Sequence, residues 1–147
     1  MINRLFPAVL DNNYRGSKIA LYFFWVMAGV TVIRSFIHLV APDGGAQSIA
    51  TIPLDVFTPN GAAVVVHLFG LWGLSQLIVG LVYLLSLIRY RALIPLLYLL
   101  GILEYAVRLI LTVVKPIEIE GTAPGGVGNF ILIPVLLIMF FLSLKSK

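Results

Sequence analysis

The stretch "GAAVVVHLFGLWGLSQLIVGLVYLLSLIRYRALIPLLYLLGILEYAVRLILTVV", residues 61–114, decides the fold. It holds two apolar runs, 62–88 and 92–114. At ~1.5 Å per helical residue, each is long enough to cross roughly 30 Å of hydrocarbon. Arg89 and Arg91 fill the few positions between them, so the runs read as antiparallel spans joined by a tight basic turn. Pro95 falls in the first turn of the later run, where its missing N–H costs little.

Two further runs flank this pair, at 19–41 and 127–144. Hydrophobic residues make up 61% of the 147 and charged residues 11%, and the mean hydropathy is +1.07. A soluble domain carries about a quarter of charged residues. The chain is therefore expected to be an all-α integral membrane four-helix bundle, one domain over 1–147. The first run is too long for the core of a signal peptide, and no small-x-small cleavage site follows it. No run repeats another.

The chain has no cysteine, which excludes disulfides, thiolate chemistry and Cys-ligated metal. Its net charge of +4 does not build a nucleic-acid surface, because the basic residues sit at the ends of apolar runs. Arg4, Arg15 and Lys18 precede the first run, Arg89 and Arg91 follow the second, and Lys145 and Lys147 follow the fourth. The other two connections hold Asp43, Asp55, Glu118 and Glu120 against Lys115. The positive-inside rule then predicts both termini in the cytoplasm and a multi-pass protein of the cell inner (plasma) membrane.

In residues 1–18, Ile2, Leu5, Phe6, Val9 and Leu10 have helical spacing beside basic neighbours, which fits either a segment on the cytoplasmic interface or a plain tail. The connection "PDGGAQSIATIPLDVFTPNG", residues 42–61, has an apolar middle too short to cross the bilayer. A short interfacial helix or re-entrant segment is expected there. In "KPIEIEGTAPGGVGN", residues 115–129, Ile117 to Glu120 alternate like a strand before a Gly-rich turn. Neither connection has the spacing of a phosphate-binding loop.

Charges inside the runs point to the site. Positions three, four and seven apart share a helix face. The first run so presents Thr31, Arg34, Ser35 and His38, and the third presents Tyr98, Glu104, Tyr105, Arg108 and Thr112. The second adds His67, with Ala63, Gly70, Gly73 and Gly80 as a seam for close helix approach. Counting inward from the outer ends puts His38 at roughly 5 Å, His67, Arg108 and Arg34 at roughly 8 to 10 Å, and Glu104 at roughly 15 Å. Gln76 is deeper and on another side of its helix from His67.

A charge at mid-bilayer costs at least ~2.5 to 3.5 kcal/mol, so these groups are expected to face one another or a wet cavity. Glu104 can pair with Arg108 and across the bundle with Arg34, leaving one guanidinium for an anion. The candidate ligand-binding residues are thus Arg34, His38, His67, Glu104 and Arg108. The same charges could instead serve only to fix helix register.

The two histidines fit several roles: a b-type haem or another metal between them, proton transfer, or plain interface packing. No cofactor is singled out. Ser35 and His38 lack the acid and oxyanion donors of a triad. Trp25, Trp72 and the tyrosines read as packing and interface anchors. The fourth run, apolar all round, is expected to face lipid or a partner subunit.

A first span closing on "HLVAPDGGAQSIATIPLD" (38–55), a Gly-rich second span closing on "GLVYLLSLIRYRALIP" (80–95) and two further spans give a layout that resembles the DoxX-like group of small four-helix bacterial membrane proteins. The likeness covers about residues 19–144. It implies a four-helix bundle, sometimes associated with quinone-linked redox complexes. Glu104, Arg108 and the loop at 123–128 match no motif of that group, and no site residue is carried over.

The function expected from the residues is an outward-facing polar pocket for a small anionic or amphiphilic molecule, in binding, transport or support of a complex. The alternatives are a quinone-linked redox or lipid-substrate enzyme subunit and a purely structural accessory subunit. Membrane lipids are the expected surroundings, and a homo-oligomer or a larger membrane complex is compatible with the fourth run.

Overall fold

A computed structural model describes residues 2–145, so Lys147 lies outside the described residues. The chain forms a short α1 (Ile2–Leu5) and four long helices, α2 (Lys18–Val40), α3 (Pro59–Arg89), α4 (Ile94–Val114) and α5 (Pro124–Leu144). All four long helices are long and apolar enough to cross a membrane, α4 together with the 3-10 turn Arg91–Leu93 that leads into it. The protein is a small multi-pass membrane protein with an all-helical fold.

Local chemistry sets the helix starts. Ser17 caps α2 by accepting the Ile19 N–H, and Thr58 caps α3 by accepting the Gly61 N–H. Proline follows the cap at the start of α3 and of α5, where a helix tolerates it best. For that reason α3 and α5 each begin three residues before the apolar runs at 62 and 127. The expected Gly-rich turn at 124–128 is instead the first turn of α5.

Ile117 to Glu120 form no strand. They have no extended partner, and their one backbone tie to the 42–61 connection is the Glu120 N–H donated to the Thr51 carbonyl at 3.0 Å. That connection is a series of turns with a single 3-10 turn at Leu54–Val56. At the opposite end, α1 stops before Pro7, whose ring disfavours helical backbone in the preceding residue. Residues 6–17 then cross beneath the bundle as an irregular strap. It is held by the Ser17 N–H on the Leu142 carbonyl (3.0 Å) and the Ala92 N–H on the Asp11 carbonyl (3.3 Å).

Helices α2 and α3 pack closely along their length, as do α4 and α5, and α2 also meets α5. Although α3 and α4 adjoin in sequence, they touch only sparsely. The core lies toward the termini, where Phe24 of α2 meets Tyr83 of α3 and Tyr98 of α4, both at 5.1 Å between ring centroids. The buried Tyr98 hydroxyl donates to the Ala20 carbonyl at 2.6 Å, tying α4 to α2.

The small-residue seam is narrower than the sequence suggests. A Cβ on Gly73 would meet the His38 Cβ at 2.7 Å, and one on Gly80 would meet Val32 at 2.8 Å, whereas Gly70 has open space. Gly73 and Gly80, seven residues apart, point the same way, while Ala63 and Gly70 lie on another line of the helix. Gly73→Ala should therefore force α2 and α3 apart and cost about 1 to 3 kcal/mol. Gly70→Ala should cost nothing, and thermal unfolding of the two variants in detergent checks the contrast.

Candidate functional site

The charges foreseen within the spans come together through a residue on a third helix. Arg34 of α2 donates from Nη2 to Oε1 of Gln76 on α3 at 2.6 Å. The Gln76 amide nitrogen donates to Oε1 of Glu104 on α4 at 2.9 Å. Glu104 in turn pairs with Arg108 one turn along α4. Gln76 is buried, and its orientation is dictated by chemistry: its carbonyl must face the cation and its NH2 the carboxylate. One amide thus connects Arg34 and Glu104, which do not meet directly.

Trp72, one turn before Gln76 on α3, sits among these groups. The Arg108 guanidinium lies 4.9 Å and that of Arg34 5.7 Å from the indole centroid. Both are within cation–π range. Arg108 also lies 5.3 Å from the Tyr105 ring.

His38 packs on Trp72 at 4.6 Å between centroids with the rings tilted by 37°, and meets Phe69 edge-on at 5.7 Å. Its Nδ1 is 2.7 Å from the Gly44 carbonyl, so the ring joins the 42–61 connection to the cluster. Gly44 and Gly45 have φ of 61° and 76°, a backbone open to glycine at little cost. Asp43 shapes this turn by accepting the N–H groups of Gly45, Gln47 and Ser48.

The expected residues therefore separate. Arg34, Glu104 and Arg108 join one network, and His38 reaches it through Trp72. His67 is exposed on α3, away from them, because nine residues, about two and a half turns, separate it from Gln76. Thr31 and Ser35 spend their hydroxyls on carbonyls one turn back in their own helix. Gln76 and Trp72 are the residues that sequence reasoning passed over. An amide in the middle of an apolar run must find partners in lipid, and that signal was available.

The charges do not balance. With Glu104 as carboxylate, Arg34 and Arg108 leave the cluster at net +1. The Arg34 Nε is buried without a hydrogen-bond partner. Beside the cluster, the gap between α3 and α4 forms a groove of about 610 Å³. Gln76, Glu104, Arg108 and Trp72 stand at one end, and Val79, Val82, Leu97 and Leu100 continue it toward the termini. Val82 and Leu100 are exposed, so its mouth faces sideways, where acyl chains lie. Among the described residues, no group of three or more His, Asp or Glu is arranged to hold a metal.

No family model, curated protein or solved structure matches this chain.

Two measurements test this geometry. Gln76→Leu removes both amide bonds and should lower stability by about 1 to 3 kcal/mol, read by denaturant unfolding in mixed micelles. Asp43 supplies a pH signature. The backbone N–H of Ser48, ahead of that of Gly45, holds its carboxyl below the ordinary 3.8, at about 2. A carboxyl depressed by folding stabilises the protein above its unfolded value, and that contribution is lost as pH falls toward the folded one. Wild-type stability should lose this component between about pH 4 and about pH 2, whereas Asp43→Asn should lack it at neutral pH and show a shallower acid slope.

Proposed function

We propose that this membrane protein binds an amphiphile with an anionic head and an apolar tail. The head would sit against Arg108, with the charge of Arg34 behind it across Gln76, and the tail along the groove between α3 and α4. The observation that carries this reading is a cluster of net positive charge beside an apolar groove that opens to the side: Arg108 and Glu104 line its polar end, and Arg34 backs that end through Gln76. A guanidinium in a low-dielectric setting gains most from an anion held by its planar fork of donors. The apolar walls would hold a chain that reaches them from the bilayer without passing through water.

Orientation follows from the basic residues. The end that carries Arg4, Arg15, Lys18, Arg89, Arg91 and Lys145 is assigned to the cytoplasm and the acidic connections to the outside of the cell membrane. The polar head of the groove then lies in the outer half of the bilayer. Glu104 tunes the site by cancelling one of two guanidinium charges, and Gln76 fixes both partners without adding charge. The role is binding or transport of the amphiphile, or its presentation to a partner.

Trp72 provides the test. In a Trp25→Phe background it is the single tryptophan. A brominated single-chain acid, such as a dibromo fatty acid at neutral pH, should quench it in nanodiscs at lower concentration than the corresponding brominated alcohol. Arg34→Gln should abolish the preference for the acid while the helical content stays unchanged. Equal quenching by acid and alcohol, or an Arg34→Gln variant that keeps the preference, would contradict the proposal.

A further inference from the structure

A second cavity, of about 320 Å³, lies at the other end of the bundle, between the strap of residues 6–17 and the ends of α4 and α5. Arg15 of the strap and Arg91 beside α4 both line it, with Asp11 as the facing carboxylate, and Arg4 adds a third guanidinium to the wall. Two of the three arginines are anchored to carbonyls. Arg4 donates to the Leu144 carbonyl at 2.7 Å and Arg91 donates from Nε to the Leu87 carbonyl at 2.8 Å. Arg15 is 3.6 Å from Asp11 in an exposed pair, a contact of little worth in itself.

Carbonyl bonds position a guanidinium without cancelling its charge, and the Nε bond leaves the terminal nitrogens of Arg91 for another acceptor. Arg15 and Arg91 together set two positive charges against one carboxylate. The place is defined by Ala92 and Pro95 where α4 begins and Ser143 where α5 ends, the level at which a spanning bundle meets headgroups. α1 and the strap expose Ile2, Phe6 and Val9 at 73%, 58% and 71%. Large apolar side chains beside basic ones are the composition of a segment that lies in the interface with its apolar groups among acyl chains. A soluble anion would need no such surroundings.

We infer that this cavity is a binding site for the phosphate of an anionic phospholipid, with Arg15 and Arg91 on the headgroup and the apolar side chains of the strap against its chains. The lipid would fasten the strap to the membrane surface and so brace the ends of α4 and α5. The site is separate from the groove at Trp72 and does not rest on what that groove binds.

The test is native mass spectrometry of the full chain released from detergent, with phosphatidylglycerol or phosphatidylcholine of the same acyl chains added. Wild type should retain phosphatidylglycerol in preference. Arg15→Gln and Arg91→Gln should each weaken that retention about fivefold. Arg15 is exposed, so its variant keeps the fold even if Arg91→Gln does not. Arg89→Gln removes an equal charge at the same end, outside the cavity, and should change retention far less, while Arg34→Gln in the polar cluster should leave it unchanged. Equal retention of the two lipids, or a loss in Arg89→Gln as large as in Arg15→Gln, would overturn the assignment. Displacement of the lipid by excess inorganic phosphate would do so too, by giving the cavity to a soluble anion.

Discussion

The amide of Gln76 is the constraint on which the polar half of this bundle depends. Two arginines and a glutamate on α2 and α4 need partners inside hydrocarbon, where each unpaired polar group costs several kcal/mol. Gln76 answers both sides at once, accepting from Arg34 and donating to Glu104. A carboxylate at this position would have opposed Glu104, and a cation would have opposed Arg34. Only a neutral group with a donor and an acceptor on one short stem links the two charges and leaves their sum unaltered.

The same bridge crosses a gap that packing leaves open. Aromatic side chains close the termini half of the bundle, where Phe24, Tyr83 and Tyr98 lock α2, α3 and α4 together. Gly73 and Gly80 draw α3 onto α2. Drawn that way, α3 stands off from α4, and beyond their basic turn the two are joined by the Gln76–Glu104 bond and by Arg108 on the Trp72 ring, with apolar walls beneath them. The groove is thus a consequence of helix pairing, and its polar end a consequence of the bridge. Trp72 and His38 extend that end to the Gly44 turn, whose shape depends on Asp43.

Much of this was legible in the sequence, for reasons that can be named. Run length and the placement of Arg89 and Arg91 gave the four helices, because the cost of a charge in lipid and the 1.5 Å rise act on every residue alike. Helical spacing brought Glu104 to Arg108, since four positions on one helix need no tertiary knowledge. Partnership between helices was harder. His67 looked as well placed as Arg34 by depth, but depth does not give rotation, and the seam at Gly73 turns His67 away. Trp72 reads locally as an anchor because indole is common at interfaces, and nothing local tells that role from a ring set between two guanidinium groups. The hairpin of α3 and α4 implied contact, yet close packing of α3 on α2 prevailed over adjacency in the chain.

The most direct measurement is a double-mutant cycle between Arg34→Ala and Glu104→Ala, run once with Gln76 and once in a Gln76→Leu background, with unfolding free energy as the readout. The two side chains do not touch, and neither their charge–charge attraction nor the Trp72 contacts need the amide, so the share carried by the bridge is the difference in coupling between the two backgrounds. A coupling of about 0.5 kcal/mol or more with Gln76, falling to a clearly smaller value in Gln76→Leu, is the result this account requires. Equal coupling in the two backgrounds, or none in either, would mean that the charges are held by something other than the bridge.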